Sequence, residues 1–159
     1  MASAPRDRMR DQDENARRKA AMAALAAAPA DDLLTLWQDA GFIVEARPLR
    51  GPETGLVTLR GRMGGGGAPF NFGEATVTRA TVKLASGEIG HAYALGRDRE
   101  KARISATIDA LWQRAETRAA VEERIIAPLA ARASQADAQS RAETAATRVD
   151  FFTMVRGED

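Results

Sequence analysis

The sequence predicts an α+β fold: N-terminal helices, an antiparallel three- to four-stranded meander, and C-terminal helices that end in an apolar segment. Three observations predict it. Apolar residues recur at helical spacing up to residue 41 and again after residue 98. Between those stretches the period drops to two, with strand-favouring Thr and Val. Glycine and proline punctuate the boundaries.

The elements follow in order. Residues 1–15 are rich in Arg and Asp and are expected to form a charged tail outside the fold. A first helix is expected from Ala16 to Ala28, stopped by Pro29. A second starts at Asp31 or Asp32, either of which can cap it. Leu33, Leu36, Trp37 and Ala40 form its apolar stripe, and Gly41 stands where a C′ glycine belongs. Phe42 to Ala46 reads as a short strand, placed at an edge by Pro48. In Thr54 to Met63, Val57, Leu59 and Met63 alternate with Thr58, Arg60 and Arg62. MGGGGAPFNFG is then a glycine-rich connection. Glu74 to Leu84 is a long strand, Ser86-Gly87 a tight turn, and Glu88 to Leu95 the last strand. Its Ile89, His91, Tyr93 and Leu95 face one way. Gly90, Ala92 and Ala94 face the other, where a helix can approach closely. Asp98 is placed to cap a third helix with a buried stripe of Ile104, Ile108, Leu111, Trp112 and Ala115. A fourth runs from Thr117 to Ala127 and is interrupted at Pro128. Residues 129–147 favour helix but carry little apolar content. Such a helix gains little from burial, so it lies on a partner or projects into solvent. The expected organisation is one domain over 16–147 with a helical arm, followed by a docking tail over 148–159.

Composition excludes several functions. The chain has 159 residues, 23 basic and 22 acidic, for a net charge of +1. That balance argues against bulk attraction to nucleic acid or membrane. There is no cysteine and a single histidine, so thiolate chemistry, disulfides and multi-His metal sites are excluded. No apolar run is long enough to span a bilayer, and residues 1–15 lack the apolar stretch of a signal peptide. The expected location is the cytoplasm.

Few constellations carry chemistry. The amides of Gly64, Gly65 and their neighbours Gly66 and Gly67 can cradle phosphate oxygens. No Gly-Lys-Ser/Thr follows, however, and no GxGxxG leads into a helix. The competing reading is a loop whose glycines supply positive φ. Arg60 and Arg62 share a strand face, and Arg79 and Arg97 lie in or beside the sheet. Together they offer a basic surface for polyphosphate or phosphonate oxygens. The alternative is a solvated face, or ion pairs with Glu74, Glu88 and Asp98. Glu53, Glu74 and Asp98 are carboxylates that could meet near the glycine-rich loop, although their spacing in sequence does not demand it. His91, alone on an apolar strand face, fits a satisfied structural residue better than a catalytic acid or base. No residue stands out as nucleophile or base, and no metal site is expected within this chain.

The end of the chain is unusual. Val149, Phe151, Phe152, Met154 and Val155 fall close together after a polar helix. Each phenylalanine is worth roughly 1.5–3 kcal/mol if buried, and adjacent ones cannot share a face. Arg148, Asp150 and Arg156 supply a polar rim. Phe151, Phe152 and Met154, flanked by Arg148 and Arg156, therefore read as a partner-docking segment. Folding back on the chain's own core is the alternative.

Five stretches carry a resemblance to a known family: ETGLVTLRGRMGGGG (53–67), FGEATVTRATVKL (72–84), GRDREKARISATIDAL (96–111), IIAPL (125–129) and RVDFFTMVRG (148–157). The chain resembles the PhnG family, subunits of the bacterial carbon–phosphorus lyase system, from about residue 20 to its end. The resemblance implies assembly with PhnH-, PhnI- and PhnJ-like core subunits and a PhnL-like partner. It implies that the PhnI-like subunit, helped by the others, displaces adenine from MgATP with an alkylphosphonate, giving ribose 1-phosphonate 5-triphosphate. It further implies a PhnJ-like subunit that cleaves the C–P bond with S-adenosylmethionine and an iron–sulfur cluster. A chain without cysteine cannot hold such a cluster, so that cofactor belongs to the partner. Because the substrate phosphonate is the nucleophile, the resemblance asks no protein nucleophile of this chain. The competing role is a scaffold of the same complex without substrate contacts. A stand-alone nucleotide-binding protein finds no motif to support it.

Overall fold

A computed structural model describes residues 5–147. Helix α1 (Pro5–Ala27) and α2 (Ala30–Ala40) precede strands β1 (Ala46–Arg62), β2 (Pro69–Leu84) and β3 (Ile89–Leu95). Helix α3 (Arg99–Gln113) follows, then α4 (Ala115–Val121), a wide π-helical turn (Glu122–Ile126) and α5 (Ala127–Ala146). The sheet is a three-stranded antiparallel meander in the order β1-β2-β3, so the α+β architecture is as expected.

Helix α3 is the centre. The sheet covers one side of it, and α1, α2 and α4 pack around the rest. Its residues from Ile104 to Trp112 are all buried, not merely a stripe, while Ala115 lies exposed at the start of α4. Asp98 caps α3 by accepting the Lys101 amide at 2.8 Å. The small side of β3 has the expected consequence. A Cβ on Gly90 would sit 1.9 Å from the Ala106 carbonyl oxygen and 2.5 Å from the Ala110 nitrogen. Backbone therefore meets backbone, and Ala92 and Ala94 continue the close contact as buried residues.

Several expectations change. Helix α1 starts at Pro5, within the stretch expected to be a tail. Proline suits the first helical position, and the helix is tied to distant partners: Arg18 to Asp109, and Glu14 to Arg118. Pro29, not Asp31 or Asp32, occupies the N-cap of α2, with the Leu33 amide bonded to its carbonyl at 3.1 Å. The two aspartates fall in the first turn, where the helix dipole favours them, and Asp32 pairs with Arg132 at 2.7 Å. Gly41 ends α2 at φ 63°. Residues 42–45 are not a strand. Phe42 and Val44 pack against the core, and only the Glu45 carbonyl pairs, with the Ala85 amide at 3.2 Å. Strand β1 runs on through Pro48, which an edge strand tolerates with a register shift. Pro128 does not interrupt the helix. One wide turn ends just before it, with the Ala127 amide bonded to the Glu122 carbonyl, and such a turn relieves the ring's clash with the preceding turn.

Beyond Leu129, every residue of α5 is exposed, which matches its polar composition. Two buried polar groups lock the layers together. The Lys101 ammonium donates to the Ala26 and Ala28 carbonyls at 2.8 and 2.6 Å, satisfying the end of α1. Burial lowers its pKa, with Asp98 partly opposing. Asp109, 2% exposed, accepts from Nε and Nη2 of Arg18 at 2.9 and 2.8 Å and from the His91 amide at 2.9 Å. These bonds to Asp109 raise the Arg18 pKa.

Candidate functional site

The glycine-rich stretch is not a long loop. Strands β1 and β2 pair as far as Arg62 and Pro69, leaving a short 3₁₀ turn, Met63–Gly65, as the main part of the connection. Strand β2 thus begins at Pro69, not Glu74. Gly64 has φ 61°, the conformation for which glycine is suited. The amides of Gly66 and Gly67 both turn inward onto the Met63 carbonyl, so two of the four amides are engaged within the turn itself. Gly65 closes the 3₁₀ segment.

The four arginines separate into three places. Arg60 and Arg62 lie at the hairpin tip, around an open concavity with Gly61 and Pro69. Arg62 donates to the Gly67 carbonyl at 3.1 Å. Arg79 is on the sheet, held by Glu53 at 2.6 Å, and Glu53 also takes Arg50 at 2.8 Å. Arg97 lines a second concavity with Thr54, Gly55, Leu56, Thr76 and Arg99. Since Leu56 pairs with Thr76, Arg60 lies four residues further along the strand, roughly 13 Å away at the usual strand rise. That spacing lets one elongated polyanion span both places.

Among the described residues no carboxylate makes an ion pair with Arg60, Arg62, Arg97 or Arg99. Arg99 is the member that sequence reasoning missed. It is the first residue of α3, and only the fold shows that α3 starts beside β1 and β2. Thr78 fixes this corner. Its hydroxyl donates to the Gly96 carbonyl at 2.7 Å and lies 3.0 Å from the Thr54 hydroxyl.

The carboxylates do not gather. Glu53 is engaged by arginines, Asp98 caps α3, and Glu74 pairs across from Thr58, well along the strand from Glu53. No group of acidic and histidine side chains fit to hold a metal ion occurs among the described residues. His91 is exposed on the outer sheet face, its Nδ1 3.3 Å from the Thr81 hydroxyl. Arg148, Phe151, Phe152, Met154 and Arg156 lie outside the described residues.

Among the described residues, the site is thus a set of exposed arginines on sheet and turn, of which Arg60, Arg62, Arg97 and Arg99 make no ion pair. Such an arrangement can hold and orient anions. The chain belongs to the PhnG family, described as phosphonate metabolism protein PhnG, which it matches over residues 16–157. It is 54% identical over 144 residues to the α-D-ribose 1-methylphosphonate 5-triphosphate synthase subunit PhnG of Rhizobium meliloti (strain 1021), covering 91% of this chain and 92% of that protein. No helix among the described residues is long and apolar enough to cross a membrane.

Proposed function

We propose that this chain is a subunit of a ribose 1-methylphosphonate 5-triphosphate synthase within a carbon–phosphorus lyase core complex. The observation that carries this reading is the 54% identity across nearly the whole of both chains to a subunit of that name. Its partners are PhnH-, PhnI- and PhnJ-like subunits and a PhnL-like protein, and the assembly works in the cytoplasm. The complex acts as a transferase: an alkylphosphonate oxygen attacks the anomeric carbon of MgATP, the carbon–nitrogen bond breaks, and adenine leaves with a proton. The isolated chain is inactive. S-adenosylmethionine and the iron–sulfur cluster serve the later C–P cleavage in the PhnJ-like partner.

The share of this chain is electrostatic. The transition state spreads positive charge over the sugar while triphosphate and phosphonate remain anionic, so positioned cations hold the reactants in line. Arg60 and Arg62, with the turn at Gly64 and Gly65, form one half of that surface, and Arg97 forms the other. Arg79, already engaged by Glu53, supports the sheet and gives substrate only a weakened charge. The tail residues Arg148, Phe151, Phe152, Met154 and Arg156 anchor the chain to its partner.

The test is reconstitution with MgATP, methylphosphonate and the partner subunits, with and without this chain, following adenine release. Release that depends on the chain is expected; equal rates without it would refute the reading. A scaffold role is favoured by one observation, the neutralised Arg79. Substituting Arg60, Arg62 and Arg97 by Gln separates the two: full activity in an intact complex would leave only the scaffold. Deletion of residues 148–159 is expected to abolish co-purification.

A further inference from the structure

The sheet is three strands wide only in part. Strand β3 pairs with β2 from Val77 to Lys83. From Pro69 to Thr76, β2 has β1 alone beside it, facing Leu56 to Arg62. This leaves a two-stranded ribbon roughly 20–25 Å long at the usual strand rise, with no buried residue along it. A ribbon of two strands is marginal in water on its own.

The ribbon has two unlike faces. Phe70 pairs with Gly61, and the Phe72 ring lies against the same glycine, where a Cβ would come within 3.1 Å of it. The register shift between Leu59 and Arg60, which pair with Gly73 and Asn71, leaves Phe72 as the extra residue of a bulge. Bulges re-aim side chains, and here Phe72 meets Phe70 edge-on, with ring centroids 6.3 Å apart. Both rings are exposed, at 46% and 59%, and Met63 at the tip is 79% exposed. The other face carries Arg60 and Arg62.

An apolar face beside a cationic one needs a partner that is apolar and holds an anion. The product named for the Rhizobium relative carries a triphosphate and a phosphonate. A second copy of this chain would bring the same arginines and set like charges against one another. Charge complementarity therefore selects a different subunit. We propose that the β1–β2 ribbon is a docking arm. It lays Phe70 and Phe72 on the substrate-holding subunit of the synthase and carries Arg60 and Arg62 in trans to the phosphate oxygens bound there. This rests on the function proposed above.

Two double variants test it in the reconstituted complex. Phe70→Ser with Phe72→Ser is expected to keep the melting temperature of the free chain, because neither ring reaches the core, yet to weaken its affinity for the partner subunits at least ~10-fold. Arg60→Gln with Arg62→Gln is expected to assemble normally, to raise KM for MgATP or for methylphosphonate by ~10- to 100-fold, and to flatten the salt dependence of kcat/KM. Wild-type affinity of the phenylalanine variant would overturn the proposal, as would an unchanged KM in the arginine variant. Loss of a self-association in the phenylalanine variant would point to a second copy and equally overturn it. Should the wild-type chain fail to stimulate adenine release at all, the underlying function falls first, and the two failures are told apart.

Discussion

Replacing Gly90 by alanine adds one methyl group where the sheet and α3 touch backbone to backbone. The new Cβ would lie 1.9 Å from the Ala106 carbonyl oxygen, 2.5 Å from the Ala110 nitrogen and 2.8 Å from the Ala110 Cβ. Ordinary contact begins near 3.4 Å, so β3 and α3 must part by roughly 1.5 Å along that line. None of the three atoms can swing aside, since two are main chain and the third is fixed to it. The separation would loosen Ala92, Ala94 and Ala102, all buried, and pull His91 away from the Asp109 carboxylate. Overpacking of this kind costs about 1–3 kcal/mol, and the rigidity of the neighbours places the expected loss at the top, near 3 kcal/mol. For a chain of this size that is a fall of roughly 6–12 °C in Tm. The assay is urea unfolding followed by far-ultraviolet circular dichroism, with Gly55→Ala as control. A Cβ at Gly55 meets nothing within 4 Å, so that change is expected to be neutral or to stabilise by up to about 1 kcal/mol. A Gly90→Ala loss below about 1 kcal/mol, or a loss equal to that of Gly55→Ala, would refute the argument.

Two further outcomes follow from the buried polar groups. Asp109→Ala is expected to cost roughly 3 kcal/mol, the low end for breaking a buried pair, because Arg18 still reaches water. Urea midpoints measure it, and in a cycle with Arg18→Ala the two losses are expected to be less than additive; simple additivity would show that the pair carries no coupling. Lys101 supplies a pH test. Its folded pKa is lowered by burial from 10.5, so the folded chain binds that proton less well than the unfolded chain. The burial cost is fully present below the lowered value and disappears as pH rises from it toward 10.5, and stability gains over that window. In Lys101→Met the corresponding rise in urea midpoint is expected to vanish.

Much of this architecture is written locally. The capping by Asp98, the αL glycine at Gly41 and the glycine–alanine side of β3 each arise from one or two neighbouring residues, and each is legible in sequence. What was not legible depends on contacts far along the chain. Nothing near Glu14 or Arg18 announces that their partners are Arg118 and Asp109, so the charged N-terminal stretch reads as a tail. Pro128 reads as a helix break because the wide turn that accommodates it lies upstream and has no residue signature of its own. The glycine-rich stretch reads as loop because glycine weakens a strand, yet pairing with β1 carries β2 through Phe70 to Gly73. The basic surface was half visible: four arginines could be named, but not that Glu53 takes one of them, nor that Arg99 replaces it beside Arg97.

The α5 helix has a consequence of its own. From Leu129, its last buried residue, to its end at Ala146 it advances roughly 25 Å at the usual rise, its one ion pair to another element among the described residues being that of Arg132 with Asp32. Such a rod is a ruler with a dial. Its composition can drift among good helix formers, but its length cannot. One inserted residue moves the far end by about 1.5 Å and turns it by about 100°, changing both how far and in which direction everything beyond residue 147 is presented. Natural variation here is expected to show free substitution and few insertions, and those that occur in steps near seven residues, which restore the heading while lengthening the reach by roughly 10 Å.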